Sequence, residues 1–475
     1  MAYREGDRYQ QNMFPLSYDE LIDEKDAVRI YEAFVEQLDV EELGLKLNNK
    51  KEGNPEYHPK AMLKVLLYGY SYGIRSSRKL ERALHHNITF IWLSGGLKPD
   101  HKTISLFRKR NKTVLKKVFR KCVELCIKLN VIEGNTLYVD GTKMRANAGI
   151  KHSYTKAQAR ARIAELDKKI TRMLNECEKA DKREENQGSW VTLHEKLSTA
   201  QKRKEAIEFA MQDILEEEKS INLIDPDCKL MTGRQGSHAS YNVQLVTDDK
   251  AGLIVSNDVV NENNDCKQLA PQIKNAQEML CAPIHYVVAD KGYANLESFK
   301  AVPDTTILVI PQINYTPKRR QSEEFNQARF RYDPDHDCYH CPAGHRLVLA
   351  DRGHQKFSKK YLIQSASLCI TCPHFGVCTT SSKGRSVSRH HEEPLREKIR
   401  SVYQSDIGQE LYRKRGQKCE VPFGHFKRNM GVSAFLLRRF SGAKTELNLL
   451  ATCYNLTRLM TLFGPLQLKQ KLQGA

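Results

Sequence analysis

Apolar residues recur at helical spacing over residues 18–130, which predicts an all-helical N-terminal region. His58 and Pro59 mark the start of one helix, because proline is favoured in a first helical turn. Pro99 and Asp100 form a cap before another helix. The predicted helices are Asp26 to Leu38, a helix that begins at Pro59, Leu80 to His86, and Ser105 to Leu129.

Residues 155–220 are rich in charge but keep apolar residues at helical spacing, among them Leu166 and Ile170. A polar break from Asp181 to Gln187 divides this pattern in two. Two long helices joined by a loop explain both features. We therefore predict an antiparallel helical hairpin that is inserted into a larger domain.

Strand patterns lie on either side of this hairpin. Thr136 to Val139 predicts one apolar strand, and Tyr241 to Val246 with Leu253 to Val259 predicts a β-hairpin. The elements that follow are a helix over Leu269 to Leu280, a strand that ends at Ala289, a short helix near Leu296, and a strand over Thr306 to Ile310. This order predicts a mixed α/β sheet with helices packed on it.

Two of the predicted strands are followed directly by an aspartate. Asp140 is followed by Gly141, and Asp290 is followed by Lys291 and Gly292. Each aspartate alone is compatible with an ordinary turn. Together the two carboxylates can also bind a divalent cation, because hard cations prefer carboxylate oxygens. The pattern alone leaves both interpretations open.

Cysteine, histidine and basic residues dominate residues 311–400, and apolar periodicity fades there before helical patterns return over residues 401–463. Cys338-x2-Cys341 and Cys369-x2-Cys372 have the spacing of paired zinc ligands, and Cys378 follows. Spacing alone favours the first four as a tetrahedral zinc site, and a set of free thiols is the alternative. Weaker candidate ligands are His340 and His345.

The charge balance points to a polyanionic partner. Lys and Arg exceed Asp and Glu by 76 − 57, a net charge of +19 over 475 residues. Nucleic acid is the first candidate and an anionic membrane surface the second. However, the sequence has no run of about 18 apolar residues, the length needed to span a bilayer. The segment Met1 to Gln11 is polar, without a signal segment. We expect an intracellular protein whose 13 cysteines are reduced or bound to metal.

The predicted helix over Ser105 to Leu129 is strongly basic. Arg108 and Arg110 lie near its start, and further lysines and arginines follow. A solvated basic face is one interpretation. A recognition helix within a helical DNA-binding unit is the other.

Several segments resemble the DDE transposases of bacterial insertion sequences, and the resemblance covers nearly the whole chain. His58 to Asn111 resembles their N-terminal helical domain. Tyr138 to Thr142 resembles the first-acid segment, and Ala289 to Tyr293 the second. Glu420-x2-Phe423-Gly424-x2-Lys427 resembles the third-acid segment. Two shorter segments resemble the signatures between the acids, Tyr241 to Gln244 and Asn264-Asp265.

The resemblance implies an RNase-H-like fold with a catalytic triad of Asp140, Asp290 and Glu420 that binds Mg²⁺ or Mn²⁺. It implies a transposase that binds element ends and catalyses metal-dependent DNA cleavage and strand transfer. The implied partners are double-stranded DNA, as terminal inverted repeats and target, and a second copy of the chain when DNA is bound. The implied location is the bacterial cytoplasm, in association with the nucleoid.

Residues around Glu420 extend the resemblance. Tyr412, Arg415 and Lys427 resemble DNA-contacting positions of a related transposase branch, although the gap from Arg415 to Glu420 is one residue longer here. Lys427 lies two helical turns beyond Glu420, where it can reach a DNA phosphate. Pro422 predicts a start or bend of the helix close by. Glu410, in the same helical region, is the rival third acid.

By the same resemblance, the zinc ligands are Cys341, Cys369, Cys372 and Cys378, with a structural role for Zn²⁺, and Cys338 has no counterpart. The implied domains are a helical DNA-binding domain (1–130), a catalytic domain (131–463) interrupted by the helical hairpin (152–222) and a Cys-rich insertion (325–392), and a C-terminal tail (464–475).

Two other functions remain compatible with the sequence. One is a zinc-containing DNA-binding protein without catalysis, such as the product of a decayed element. The other is a metal-dependent nuclease on the same fold. The intact set of Asp140, Asp290 and Glu420 favours the transposase over the first alternative.

Overall fold

The computed structural model describes residues 17–45, 56–181, 187–212, 220–233, 236–311, 325–355 and 358–474. The polar segment Met1 to Gln11 therefore lies outside the described residues. The protein is mixed α/β, as the sequence predicts. It forms two compact units, of which the first comprises Met1–Val287 with Lys414–Ala475 and the second comprises Val288–Arg413.

The N-terminal part of the first unit is helical, which confirms the predicted all-helical region. Its described helices are α1 (Val28–Glu36), α2 (Val40–Leu43), α3 (Pro59–Ser71), α4 (Ser77–His86), α5 (Ile88–Ser94), α6 (His101–Arg110) and α7 (Lys112–Lys128). Pro59 opens α3 as predicted. Asp100 caps α6, because its Oδ1 accepts a hydrogen bond of 2.6 Å from the backbone N–H of Thr103.

The prediction of a single helix over Ser105 to Leu129 is wrong, because the helix is interrupted at Asn111. The side-chain amide of Asn111 donates a hydrogen bond of 2.9 Å to the Phe107 carbonyl. Its backbone leaves helical geometry, with φ −105° and ψ 32°. Asparagine competes for backbone groups in this way, so α6 and α7 are separate helices.

One large sheet follows. Its strands are β1 (Thr136–Arg145), β4 (Lys229–Gly233), β5 (Gly236–Asp248), β6 (Ile254–Val260), β7 (Tyr286–Ala289) and β8 (Ile307–Val309). The strand order is β4-β5-β1-β7-β8, and β6 pairs with β5. The predicted β-hairpin of β5 and β6 is confirmed, and so is the helix α10 (Leu269–Leu280). Strand β1 is antiparallel to β5, with Asp140 opposite Leu245.

The predicted helical hairpin consists of α8 (Lys156–Asp181) and α9 (Gln187–Gln212). Leu166 and Ile207 belong to its small core. Short strands β2 (Ser153–Tyr154) and β3 (Ile221–Asn222) pair antiparallel at its base. The predicted polar break falls mainly on residues 182–186, outside the described residues.

The second unit contains a sheet that the fading apolar pattern did not predict. Its strands β9 (Arg331–Asp333), β10 (Cys338–His340), β11 (Arg346–Gln355), β12 (Ser358–Ile363) and β13 (Ser386–His390) lie in the order β13-β12-β11-β10-β9. The helices of this part are α11 (Leu296–Lys300), α12 (Ala366–Ile370), α13 (Glu393–Gln404) and the start of α14 (Asp406–Arg428). One face of the sheet forms a core that includes Tyr339, Leu347 and Tyr361.

The chain returns to the first unit along α14 and continues into α15 (Arg439–Phe463). Helix α15 packs against α3, α7 and β6. Asn455 accepts a hydrogen bond of 2.9 Å from the Ile254 N–H and donates one of 2.9 Å to the Ile254 carbonyl. The side chain of Asn455 therefore provides hydrogen-bond partners for the backbone of β6 at Ile254. No helix in the described part of the chain is long and apolar enough to cross a membrane.

The segment 464–475, predicted as a tail, contains a further helix. Helix α16 (Pro465–Gln473) packs on α1, with Leu468 and Leu472 buried. Gly464 turns the chain between α15 and α16 with φ of 73°. The end of the described chain is therefore part of the folded first unit.

We predict that Leu468→Ala destabilises the first unit by about 2–5 kcal/mol, the usual cost of a fully buried leucine. Leu466→Ala on the same helix is the control, because Leu466 is 40% exposed, and its effect is expected within about 0.5 kcal/mol. Chemical denaturation of the full chain measures both. Equal effects for the two variants would show that α16 is not packed as described.

Candidate active site and cysteine cluster

Asp140 lies within β1 and not at its end. The strand continues to Arg145 because β5 is long enough to pair with it as far as Ser240. The predictions of a strand end or a turn at Asp140 are therefore wrong. Residues two apart in a strand project from the same face, so Asp140 shares a face with Thr142.

Arg415 is the charged partner of Asp140. Its Nη2 lies 2.8 Å from Asp140 Oδ1, and each side chain is only 16% exposed. Partial burial reduces solvent screening, so this attraction is stronger than that of a surface ion pair. The sequence did not indicate this contact between Arg415 and the first candidate acid. The contact of Arg415 with DNA remains a prediction.

A second contact joins α14 to β1 farther along both elements. Lys427 Nζ lies 3.1 Å from Thr142 Oγ1. Sequence reasoning did not single out Thr142, although its position two residues after Asp140 was an available signal. Glu420 lies between Arg415 and Lys427 along α14 and is exposed. The helix is therefore fixed to β1 on both sides of Glu420.

Pro422 lies inside α14, which is assigned as continuous from Asp406 to Arg428. The predicted helix start near Pro422 is therefore wrong. Proline has no N–H for the carbonyl four residues earlier, which belongs to Lys418. The hydroxyl of Thr247 on β5 donates a hydrogen bond of 3.3 Å to that carbonyl. The Lys418 ammonium also bonds to the Asp249 carbonyl, so the sheet compensates for the missing helical bond.

Asp290, in the second unit, directly follows β7, as the pattern predicted. Its Oδ1 accepts a hydrogen bond of 2.8 Å from the Gly292 N–H. A Cβ added at Gly292 would lie 2.9 Å from the same oxygen. Glycine at this position therefore lets the turn close tightly around the carboxylate.

Tyr412, also in the second unit, packs its ring edge-on against Tyr403, with 5.1 Å between ring centroids. Tyr403 belongs to α13, the helix that precedes α14. The contact gives Tyr412 a packing role within the second unit. Its predicted contact with DNA remains a prediction.

The basic helices α6 and α7 differ from their prediction. Arg108 is 5% exposed, and its Nη1 donates to the Tyr70 hydroxyl (2.9 Å) and the Arg75 carbonyl (3.0 Å). Arg108 therefore holds the helices together, and the structure does not leave its guanidinium accessible to DNA. Arg110 is exposed. On α7, Lys121 pairs with Glu42 at 2.7 Å, which favours the interpretation of α7 as a solvated basic face.

Four cysteines of the second unit line one small cavity. They are Cys341, Cys369, Cys372 and Cys378. Two of their sulfurs accept backbone hydrogen bonds, Cys341 Sγ from His345 N–H (3.3 Å) and Cys369 Sγ from Arg385 N–H (3.4 Å). Burial raises the pKa of the Cys378 thiol, Arg385 opposes the shift, and the other three thiols raise this pKa further.

This grouping matches the ligand set implied by the resemblance. It differs from the set favoured by spacing alone, because Cys338 has other partners. Cys338 Sγ lies 3.1 Å from Arg346 Nε and 3.8 Å from His340 Nε2. Of the two weaker candidate ligands, His345 lines the four-cysteine cavity and His340 lies beside Cys338.

We predict a coupling energy of about 1 kcal/mol or more between Asp140 and Arg415 in a double-mutant cycle of Asp140→Asn and Arg415→Met. The reason is the short, poorly solvated contact between the two charges. Chemical denaturation of the four proteins without added metal measures it. The exposed pair Arg120 and Glu124, at 49% and 38% exposure, is the control and should couple by less than about 0.5 kcal/mol. A coupling for Asp140 and Arg415 no larger than the control would contradict the contact.

Comparison with known proteins yields two family matches. Residues 16–110 match a transposase domain described as DUF772. Residues 340–460 match a transposase DDE domain. The second match includes Cys341, Arg415 and Glu420, and both agree with the resemblance found from the sequence.

A cryo-EM structure of the piggyBac transposase synaptic complex with hairpin DNA is similar over 95% of this chain and 79% of that chain. The sequence identity is 9% and the TM-score is 0.31, and these values are too low to establish a common fold. No curated protein matched the chain. The two family matches do not depend on this likeness: the chain contains a DUF772 transposase domain and a transposase DDE domain, and these domains support a function in DNA transposition.

Proposed function

We propose that this transposase cuts DNA at its element ends and joins the ends to a target, with Asp140, Asp290 and Glu420 as its metal-binding acids. The observation that supports this most directly is the position of α14 on β1. Its contacts Arg415–Asp140 and Lys427–Thr142 lie on either side of Glu420.

The helical repeat indicates which way Glu420 faces. Residues seven apart lie nearly on the same side of an α-helix, so Glu420 shares a face with Lys427. Lys427 reaches Thr142, which projects from the same side of β1 as Asp140. Glu420 therefore lies on the same face of α14 as Lys427, whose long side chain reaches β1. Glu410 lies before Arg415 and outside the stretch held by both contacts.

The surroundings of Glu420 leave room for a substrate. Gly416 and Gly424 lie one turn before and after it on α14. A Cβ added at either glycine would meet no described atom within 4 Å. The helix surface around Glu420 is therefore open, which a DNA backbone approaching this carboxylate requires.

Two cations of α14 contact β1. The Arg415 guanidinium lies beside Asp140, and the Lys427 ammonium lies beside Thr142. Arginine binds phosphate oxygens in a bidentate manner, and lysine acts as a point charge. We propose that both residues position the DNA backbone, Arg415 at the scissile phosphate and Lys427 at a neighbouring one.

The donor set fits Mg²⁺ or Mn²⁺, because carboxylate oxygens are the ligands these ions prefer. When bound, such ions activate the attacking oxygen and stabilise the leaving oxygen of an in-line phosphoryl transfer. Arg415 offsets the charge of Asp140 in the protein itself, since nearby carboxylates repel one another. The assignment of Asp290 rests on the sequence resemblance.

We place DNA binding mainly on the basic N-terminal helices and also on the rest of the positive surface. The net charge of +19 over the whole chain supports a polyanionic partner. Arg110 keeps its proposed role because it is exposed, and Arg108 is not included because it is buried. Helix α4 adds exposed cations that the sequence did not single out, Arg78, Lys79 and Arg82. Phosphate contacts release counterions, so affinity should fall steeply with salt. Joining two ends calls for two copies of the chain on the DNA.

We further propose that the sheet of β1, β5, β6, β7 and β8 is an RNase-H-like catalytic core. It would span residues 131–463, with the helical hairpin and the Cys-rich segment as insertions. Thr247 on β5 donates to the Lys418 carbonyl, and the Lys418 ammonium donates to the Asp249 carbonyl just after β5, which supports the inclusion of α14 in this core.

The four-cysteine cavity is proposed as a structural zinc site. Four thiolates are the donor set of closed, tetrahedral zinc centres. Backbone N–H donors to two of the sulfurs provide the outer hydrogen bonds that hold such ligands. The site would stabilise the β-sheet of the second unit, in which Cys369 packs against the core.

The first test concerns the third acid. Glu420→Gln should stop Mg²⁺-dependent cleavage and joining of DNA that carries the element ends, because it removes one metal-binding charge. Asp290→Asn should do the same. Both variants should bind this DNA at least as tightly as the parent without metal, with an unchanged salt slope of about −0.9 per neutralised phosphate on logarithmic axes.

Glu410→Gln is the matched control, since it makes the same substitution on the same helix. It should cleave as the parent does. Loss of cleavage with Glu410→Gln but not with Glu420→Gln would refute the assignment of the third acid. Normal cleavage with Asp290→Asn would refute the triad.

The second test concerns zinc. Cys369→Ser with Cys372→Ser should remove about one zinc per chain, as expected for a four-ligand site, and should lower the thermal stability of the second unit. Cys281→Ser is the control, because Cys281 is exposed and lies outside the cavity. Elemental analysis and calorimetry provide the two measurements. Unchanged zinc content in the double variant would contradict the assignment.

A further inference from the structure

Cys338, which lies outside the four-cysteine cavity, belongs to a separate group of side chains. It lies on β10 directly opposite Asp333 on β9 and two residues before His340. Opposed residues and residues two apart share one face of a sheet. The β9–β10 hairpin therefore presents a carboxylate, a thiol and an imidazole on one face, while Tyr332 and Tyr339 pack on the other.

The distances within this group are close to those of a metal centre. The three potential ligand atoms all lie within 4.8 Å of one another. His340 Nε2 is 3.7 Å from Asp333 Oδ2 and 3.8 Å from Cys338 Sγ. Zinc bonds of about 2.0 Å to nitrogen or oxygen and 2.3 Å to sulfur place tetrahedral ligands about 3.3–3.5 Å apart. Only small side-chain adjustments are needed to close the group around an ion.

We propose that Asp333, Cys338 and His340 form a second metal site, separate from the four-cysteine cavity, that binds Zn²⁺ or another late first-row divalent cation. The thiol and imidazole select such ions, since Mg²⁺ and Ca²⁺ prefer sites made of oxygen ligands alone. Asp333 and His340 side chains are 23% and 31% exposed. An ion can therefore enter from solvent, and water can supply a fourth ligand.

Two neighbouring side chains support the proposed ligands. Arg346 Nε donates to Cys338 Sγ at 3.1 Å. This contact fixes the position of the sulfur. His336 Nδ1 lies 2.9 Å from Asp333 Oδ2 and holds that carboxylate in place. Outer contacts of this kind orient metal ligands. Cys338 itself is only 1% exposed, so a charged sulfur there requires a compensating cation.

The site would have a structural effect at a weak point of the sheet. Strand β9 has three residues and lies at the sheet edge. An ion that joins Asp333 to Cys338 and His340 would fasten this edge strand to β10. A ligand from each side of the hairpin is what such cross-linking requires.

The test is the zinc and cobalt content of the full chain. After loading with Zn²⁺ and removal of weakly held ions, the parent should retain about two zinc ions per chain, one for each site. His340→Gln and Asp333→Asn should each retain one fewer. Cys369→Ser with Cys372→Ser should also lose one, but from the other site. His391→Gln, an exposed histidine of the same unit, should change nothing.

Loading with Co²⁺ separates the sites by spectrum, because four thiolates give stronger sulfur charge-transfer absorption than one thiolate. His340→Gln should keep the four-thiolate absorption, which also reports that the second unit is folded. Cys338→Ser is a second variant with the same expectation. If the parent holds one ion that only the Cys369 and Cys372 changes remove, the second site is refuted. If it holds one ion that only Asp333 or His340 changes remove, the four-cysteine proposal fails instead.

Discussion

The attachment of α14 to β1 is the constraint on which the candidate active site depends. Strand β1 presents Asp140, but Glu420, the proposed third acid, comes from a helix far along the chain. Glu420 can act together with Asp140 only if that helix is held in position. The Arg415–Asp140 ion pair and the Lys427–Thr142 hydrogen bond provide two fixed points. The ion pair is the firmer of the two, because each of its side chains is only 16% exposed, and a rotation of α14 that broke it would leave two poorly solvated charges without their partner.

Pro422 shows how the same contact tolerates an unfavourable residue. An interior proline removes one helical hydrogen bond and usually costs about 3 kcal/mol. Here the Lys418 carbonyl that loses its partner accepts from Thr247 on β5. Part of the cost is therefore offset by a bond to the sheet, and the proline makes the helix dependent on the strand beneath it. An isolated α14 would lack this compensation.

Local signals in the sequence predicted most of the secondary structure but not the contacts between distant segments. Caps and periodicity were sufficient for α3, α10 and the β5–β6 hairpin, because the information lies within a few residues. The extension of β1 past Asp140 was missed because it depends on the length of β5, which lies beyond the helical hairpin. Arg108 was misassigned for the same reason, since its partners are Tyr70 on α3 and Arg75 in the loop after α3.

The cysteine region shows a different limit of sequence patterns. Four of its five strands have six residues or fewer, and polar residues interrupt the apolar ones, so the alternation of apolar residues is easily overlooked. Spacing could not distinguish Cys338 from Cys378, because ligand choice depends on which face of β10 a side chain occupies. In the structure Cys338 shares a face with His340, and Cys341 follows the strand and joins the other three cysteines.

The helical hairpin also has a consequence for the order of folding. Strands β1 and β5 are direct neighbours in the sheet, yet residues 146–235 separate them along the chain. Closing so long a loop carries an entropic cost that non-local pairing must overcome. The hairpin is a local structure, and its base strands β2 and β3 bring Ser153 next to Asn222. Once it has formed, the effective loop between β1 and β5 is much shorter. An insertion that contributes no residue to the candidate acids thus lowers the entropic cost of pairing the strand that carries Asp140.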